Sequence, residues 1–302
     1  EEKRINGLIY SGIYNSNSNT NELNQFIAAE KITKDINPTY GSIQKLHTRD
    51  SDLVTLCEDK ILKILANKDA VFNADGNVNL TATDKVLGQS IPFSGEYGIS
   101  KNPESFASEA YRAYFTDKVR GVVMRLSKDG LTPISDHGMK DWFRDNLKSA
   151  DKLIGSYDSY NDEYNITLHS YHSDSHTLSF KEDVRGWVSF KSFLVENGLS
   201  CTNDYYTFHH NSIWKHYSED IERNTFYNIF RESIVDVVLN ENPGVVKTFH
   251  TLNYEGTQGR YDEAASYNTY LPGTDVVNGT YAPTNFKDLY SKSGWYVVGL
   301  ET

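Results

Sequence analysis

The sequence predicts a mainly β chain of meandering strands, and three observations carry that prediction. The stretch from Ser100 to Ser135 alternates apolar and polar residues between turn signals, the period-2 pattern of strands. Short apolar or aromatic runs bounded by turn residues recur along the rest of the chain. Composition agrees: 21 tyrosines and 14 phenylalanines among 302 residues, against 2 methionines and 7 prolines, favour strands over helical bundles.

From the N-terminus, Ile5 to Tyr14 is a candidate strand pair, punctuated by Gly7 and Gly12, and Asn15 to Asn21 is a polar loop. Leu23 to Ile32 carries either helical spacing or an irregular arm, ended by Asn37-Pro38. Asp52 to Leu65 is a hairpin: Leu53–Cys57 and Ile61–Leu65 are the arms, and Glu58-Asp59-Lys60 the turn. Its nearly continuous apolar arms suit strands packed on both faces. Phe72 to Pro92 reads as loop-rich, with turns at Asp75-Gly76 and Gly88.

Ser100 or Asn102 is placed to cap a short helical segment with Pro103 just inside it. Tyr111–Phe115, the polar turn Thr116–Gly121 and the strand from Val122 then form the central hairpin. Val122, Met124 and Leu126 point to one face, and Val123, Arg125 and Ser127 to a wetter one. Asp129-Gly130 turns the chain again, because glycine tolerates positive φ, and Thr132-Pro133-Ile134 continues extended. Asp136 is the expected cap of a helix from Met139 to Lys148, with Trp142, Phe143 and Leu147 as its apolar stripe. Strands follow at Tyr164–Leu168, Thr177–Phe180, Gly186–Phe190, Tyr205–Phe208 and Ser212–Trp214. A last hairpin is expected from Ile234–Leu239 and Val245–Phe249, then a surface excursion over 257–281.

The turns near Asp59, Asp117, Asn211 and Asn242 share no period, yet short meanders tens of residues apart suit propeller-like blades. A β-sandwich is the alternative. Residues 1–302 read as one mainly β region of a larger multi-domain chain, with any internal division near 150. The chain opens on Glu1-Glu2 and closes just after the strand-like Trp295–Val298, so both ends read as cut from something longer.

A formal charge of −11 argues against specific recognition of DNA or RNA, which rests on basic side chains. No apolar run reaches the roughly 18 residues a membrane span needs. Two cysteines make no disulfide framework, and Cys57 in its apolar run reads as buried.

Candidate chemistry is sparse. His169, His172 and His176 are spaced for a helix but sit in strand and hairpin loop, which favours a solvated hairpin over a metal site. Asn73 to Asn77 resembles the start of a calcium loop but has Val78 where the sixth-position glycine belongs and Asp84 at the twelfth. Ser127-Lys128-Asp129-Gly130 fails as an aspartate box. Tyr205, Tyr206, Phe208 and Trp214 form either core or a sugar-stacking platform. Asn165-Ile166-Thr167 and Asn278-Gly279-Thr280 fit the glycosylation pattern. No catalytic, cofactor-binding or metal residue is assigned.

Several segments together resemble one family. They are Gly7–Asn15, Leu23–Pro38, Cys57–Lys60, Asn67–Ala70, Asn73–Asn77, Ser100–Phe106, Tyr114–Lys118, Asp129–Ser135, Gly186–Phe190 and Asn253–Gly256. In this order they resemble the muzzle, or tail-stabilisation, structural proteins of crAss-like phages, from about residue 7 to about residue 256, with the strand around Trp295 also fitting. The resemblance implies a virion protein near the tail exit, in a cyclic oligomer around the DNA channel and in contact with other tail or neck proteins. It also implies kinship with propeller-bearing nozzle proteins, with no enzyme activity and no cofactor. The alternative is a carbohydrate-binding or depolymerising tail module, which needs an aromatic platform or paired carboxylates in a concave pocket. A metal-dependent hydrolase would rest on the histidine cluster alone.

Overall fold

The computed structural model describes residues 3–27, 29, 31–72, 78–221, 223–237, 244–248, 276–277 and 280–281. The chain divides into two compact units, residues 1–234 and 235–302. In the first, β1 (Gly7–Ile9) and β4 (Thr33–Asp35) pair, as do β2 (Tyr14–Asn15) and β3 (Thr20–Asn21). Three four-stranded antiparallel meanders follow. The first sheet holds β5 (Ile43–Arg49), β6 (Asp52–Cys57), β7 (Ile61–Phe72) and β8 (Val78–Pro92) in sequence order. The second holds β9 (Ala107–Glu109), β10 (Arg112–Asp117), β11 (Val122–Ser127) and β12 (Gly130–Pro133).

Helix α1 (Lys140–Ser149) leads to the third sheet, β13 (Lys152–Asp158), β14 (Glu163–His169), β15 (His176–Lys181) and β16 (Gly186–Lys191). A fourth, three-stranded sheet holds β17 (Asn197–Cys201), β18 (Asp204–His209) and β19 (Ser212–Lys215). The short hairpin β20 (Thr225–Phe226) and β21 (Ile229–Phe230) closes the described part of this unit. In the second unit the described strands are β22 (Val276–Val277) and β23 (Thr280–Tyr281). Successive four-stranded meanders are the unit from which propeller blades are built.

The core is serial. Val54, Leu56 and Ile61 of the first sheet meet Ala113, Phe115, Met124 and Leu126 of the second. The opposite face of the second sheet, through Tyr114 and Val123, packs on α1 and on Leu153, Tyr164, Ile166, Leu178 and Phe180 of the third. Ile154 continues the stack with Phe193, Val195 and Tyr205. Behind the first sheet, Ile36 packs on Cys57, Leu62 and Ile64. Each fully buried large side chain contributes about 1.5–3 kcal/mol by leaving water. The face carrying Val123 and Arg125, expected to be wetter, is therefore covered: Val123 is buried and Arg125 ion-pairs with Glu182 at 2.7 Å.

Several local expectations change. Residues 78–92 form the long strand β8 rather than loops. Gly88 lies within that strand at the register shift between the Ile64–Ser90 and Ala66–Leu87 pairs, so it marks a bulge and not a turn. Residues 23–27 hold no helix, and Leu23, Phe26 and Ile27 are exposed, without a core against which a helix would pack. Residues 5–14 do not pair among themselves; their strands pair with residues 33–35 and 20–21. Pro103–Ser105 makes one 3-10 turn, capped by neither Asn102 nor Ser100 through a side chain. Asp136 ends a 3-10 turn instead of capping α1; Gly138, at φ 78°, separates the two, and Met139 takes the cap position. Phe143 and Leu147 are buried as expected. Residues 234–237 and 244–248 carry no strand, and the remainder of that expected hairpin lies outside the described residues. So does most of 257–281.

Asp117 ties the first two sheets together. Its fully buried carboxylate accepts from the Gly98 and Arg120 amides, both at 3.1 Å, and from Ser100 Oγ at 3.1 Å. Arg120 pairs with it at 2.9 Å and reaches Asp59 in the β6–β7 turn at 3.4 Å. Gly98 passes so close to that turn that a Cβ would lie 2.0 Å from the Glu58 carbonyl oxygen. Removing the carboxylate leaves the buried Gly98 amide and Ser100 hydroxyl without this acceptor, at a cost of about 1–3 kcal/mol. Asp117→Ala is expected to lower unfolding stability by that amount in urea titration, with Asp129→Ala, at an exposed turn, nearly neutral.

Candidate functional site

The histidines that the sequence groups together are separated by the fold. His169 ends β14 and donates through Nε2 to the Val195 carbonyl at 2.7 Å. His172 is exposed in the β14–β15 loop, where its amide donates to Ser170 Oγ at 3.3 Å. His176 begins β15 and lies edge-on to Trp142, 5.6 Å between ring centroids. They converge on no common point.

The aromatic platform is divided as well. Tyr205 is fully buried and shares a hydrogen bond with Ser156 Oγ at 2.7 Å. Register pairs Trp214 with Thr207, and Tyr206 with Lys215. Cross-strand partners share a face and neighbours along a strand do not, so Trp214 lies opposite Tyr206 and Phe208. Asn165 is 1% exposed and closed to a glycan in the folded chain. Asn73–Asn77 and Asn278 lie outside the described residues. Cys57 is buried, its thiol pushed up to about 11 by desolvation and then by Glu58, so it is an inert core residue; Cys201 is exposed.

One further cluster depends on strand pairing and a turn conformation that the sequence does not display: Glu196 precedes one strand, and the adjacent His209 and His210 lie at the end of the next. Glu196, His209 and His210 place their ligand atoms within 4.8 Å of one another. Glu196 sits just before β17, where its amide donates to the Phe208 carbonyl at 2.9 Å, which sets it across from His209. Its carboxylate accepts from the His210 amide at 3.1 Å. His210 and Asn211 are the two residues of the β18–β19 turn, with φ of 47° and 59°. That is the left-handed pair a type I′ turn requires. The two imidazoles stack at 4.0 Å, and His209 stacks on Tyr227 at 4.2 Å. Partial burial, then His210, lowers the His209 imidazole from its ordinary value.

The strongly shifted groups are packed in cores and do not line a cleft. Burial raises Tyr114, Tyr164, Tyr205 and Tyr217 above the ordinary phenol value, chiefly by desolvation. Desolvation, then Lys191, pushes His216 down to about 4, where its Nε2 lies 2.7 Å from Thr207 Oγ1. Serially packed antiparallel meanders define a mainly β protein. The chain belongs to the Crassvirus muzzle protein family: the family model matches residues 3–211, and the model of the muzzle protein's C-terminal domain matches residues 221–294. A search of curated proteins gives no match. Family membership makes the chain a structural component of a phage tail, within the virion.

His216 also sets a pH dependence. Its folded value lies below the unfolded value of 6.5, so protons bind preferentially to the unfolded chain. Stability should fall by up to about 3 kcal/mol as pH drops from about 6.5 to about 4. Asp158 acts oppositely, because burial raises its carboxyl above the usual range. Comparing His216→Gln with the parent isolates the histidine: urea unfolding across this window should show a shallower pH slope in the variant.

Proposed function

We propose that this muzzle-family chain assembles with copies of itself into a ring around the DNA exit channel of the tail and docks on neighbouring tail proteins. Family membership carries the reading. An open apolar strip supports it: Leu199 (45% exposed) and Ile213 (67%) flank half-buried Tyr206 and Phe208 on one face of the fourth sheet. The first three principal sheets each pack through two faces, whereas this strip has no covering element among the described residues. A head-to-tail contact repeated around a closed ring buries such a face on every copy. Net charge fits the channel role, since a formal charge of −11 disfavours adhesion of exiting DNA. No described helix is long and apolar enough to cross a membrane.

Native mass spectrometry and electron-microscope class averages of the purified chain should show closed rings. Leu199→Glu with Ile213→Glu should give monomers whose thermal melt matches the parent's monomer. A parent that stays monomeric at every concentration, or rings that persist in the double variant, would overturn the proposed contact. Intact-mass analysis of purified virions tests the location separately: absence of the protein there would remove the tail reading.

A further inference from the structure

We propose that Glu196, His209 and His210 bind a divalent cation of the zinc class at the tip of the fourth sheet. Two imidazoles and one carboxylate form a nitrogen-rich donor set suited to Zn²⁺, whereas Mg²⁺ and Ca²⁺ favour oxygen. Their atoms already lie within 4.8 Å of one another. Tetrahedral zinc, with bonds of about 2.0–2.2 Å, holds its ligands roughly 3.3 Å apart. Glu196 and His210 are exposed, and binding requires the His210 ring to turn out of its stack on His209 so that each imidazole meets the ion in its own plane.

Three features argue that this convergence is built. Successive strand residues face opposite ways, so adjacent histidines on a plain strand could not share a ligand. The left-handed conformation of His210 brings its ring back over His209. His209 is braced from its other side by Tyr227, 7° from parallel, and Trp214 donates from its indole to the His209 carbonyl at 3.4 Å. Glu196 is fixed by its own amide and by the hydrogen bond from His169 to the preceding Val195 carbonyl. Groups that orient ligands from behind in this way are part of a working metal site.

The cation would cross-link the start of β17 to the β18–β19 turn and, through His209, hold Tyr227 and its hairpin against the sheet. This sheet has three strands where the three principal sheets before it have four. A water would complete the coordination shell. Nothing in this inference depends on ring formation.

The chelator-treated full chain is titrated with ZnCl₂ by calorimetry and melted with and without the metal, alongside Mg²⁺ and Ca²⁺. One zinc per chain and a raised melting temperature are expected, with neither effect from Mg²⁺ or Ca²⁺. Glu196→Gln retains the acceptor for the His210 amide, and His210→Asn tolerates the left-handed turn, so both should fold. Each should weaken zinc binding by about tenfold or more while leaving the metal-free melt unchanged. His172→Asn, outside the cluster, should bind as the parent does. No saturable zinc binding, binding unaltered in Glu196→Gln and His210→Asn, or equal loss in His172→Asn would each overturn the proposal.

Discussion

Each of the first three principal sheets hides two faces, and that constraint orders most of the structure. Along β10, Ala113 and Phe115 point to the first sheet, while Tyr114 between them points to the third. A single sheet cannot satisfy both directions, so meanders stack in series and each supplies the cover of the one before. Side chains at these junctions interlock at close-packed density, which makes a run of sheets stiff against relative sliding.

Polar side chains set the spacing between the layers. Glu182 accepts from Tyr114 Oη at 2.9 Å and from Arg125 at 2.7 Å, joining the second sheet to the third. Asp158, at the end of β13, accepts from the Tyr160 amide at 3.0 Å and the Asn161 amide at 3.3 Å, and from Tyr217 Oη at 2.5 Å. It repeats the arrangement of Asp117 one sheet later: a buried carboxylate closes a strand-end turn and reaches a neighbouring layer. Gly155 permits a similar close approach, since a Cβ there would lie 1.9 Å from the Ser105 carbonyl oxygen. Buried carboxylates are tolerable only when fully hydrogen-bonded, so these joints fix one register and penalise others.

This construction suits a structural component of a phage tail. Among the described residues, the most strongly shifted groups are packed in cores, and the Glu196–His209–His210 group lies at a partly open edge. It lies on the same sheet that leaves Leu199 and Ile213 uncovered, so the fourth sheet carries the features that the internal stacking does not use.

The sequence by itself determined that this is a β chain, where its central hairpins fall, that Phe143 and Leu147 bury one side of a helix, and which family it joins. Those are local matters: alternation, turn residues and ordered short motifs are written in neighbouring positions. The β8 strand escaped because turn-forming residues mark a bulge as readily as a loop, and pairing with β7 decides between them. Asp136 escaped because a single glycine moved the cap. Only the tertiary structure covered the Val123 face, divided Trp214 from Tyr206, dispersed His169, His172 and His176, and joined Glu196 to His209 and His210. Each of these depends on which strands pair and in what register, and a one-residue change of register sends a side chain to the other face.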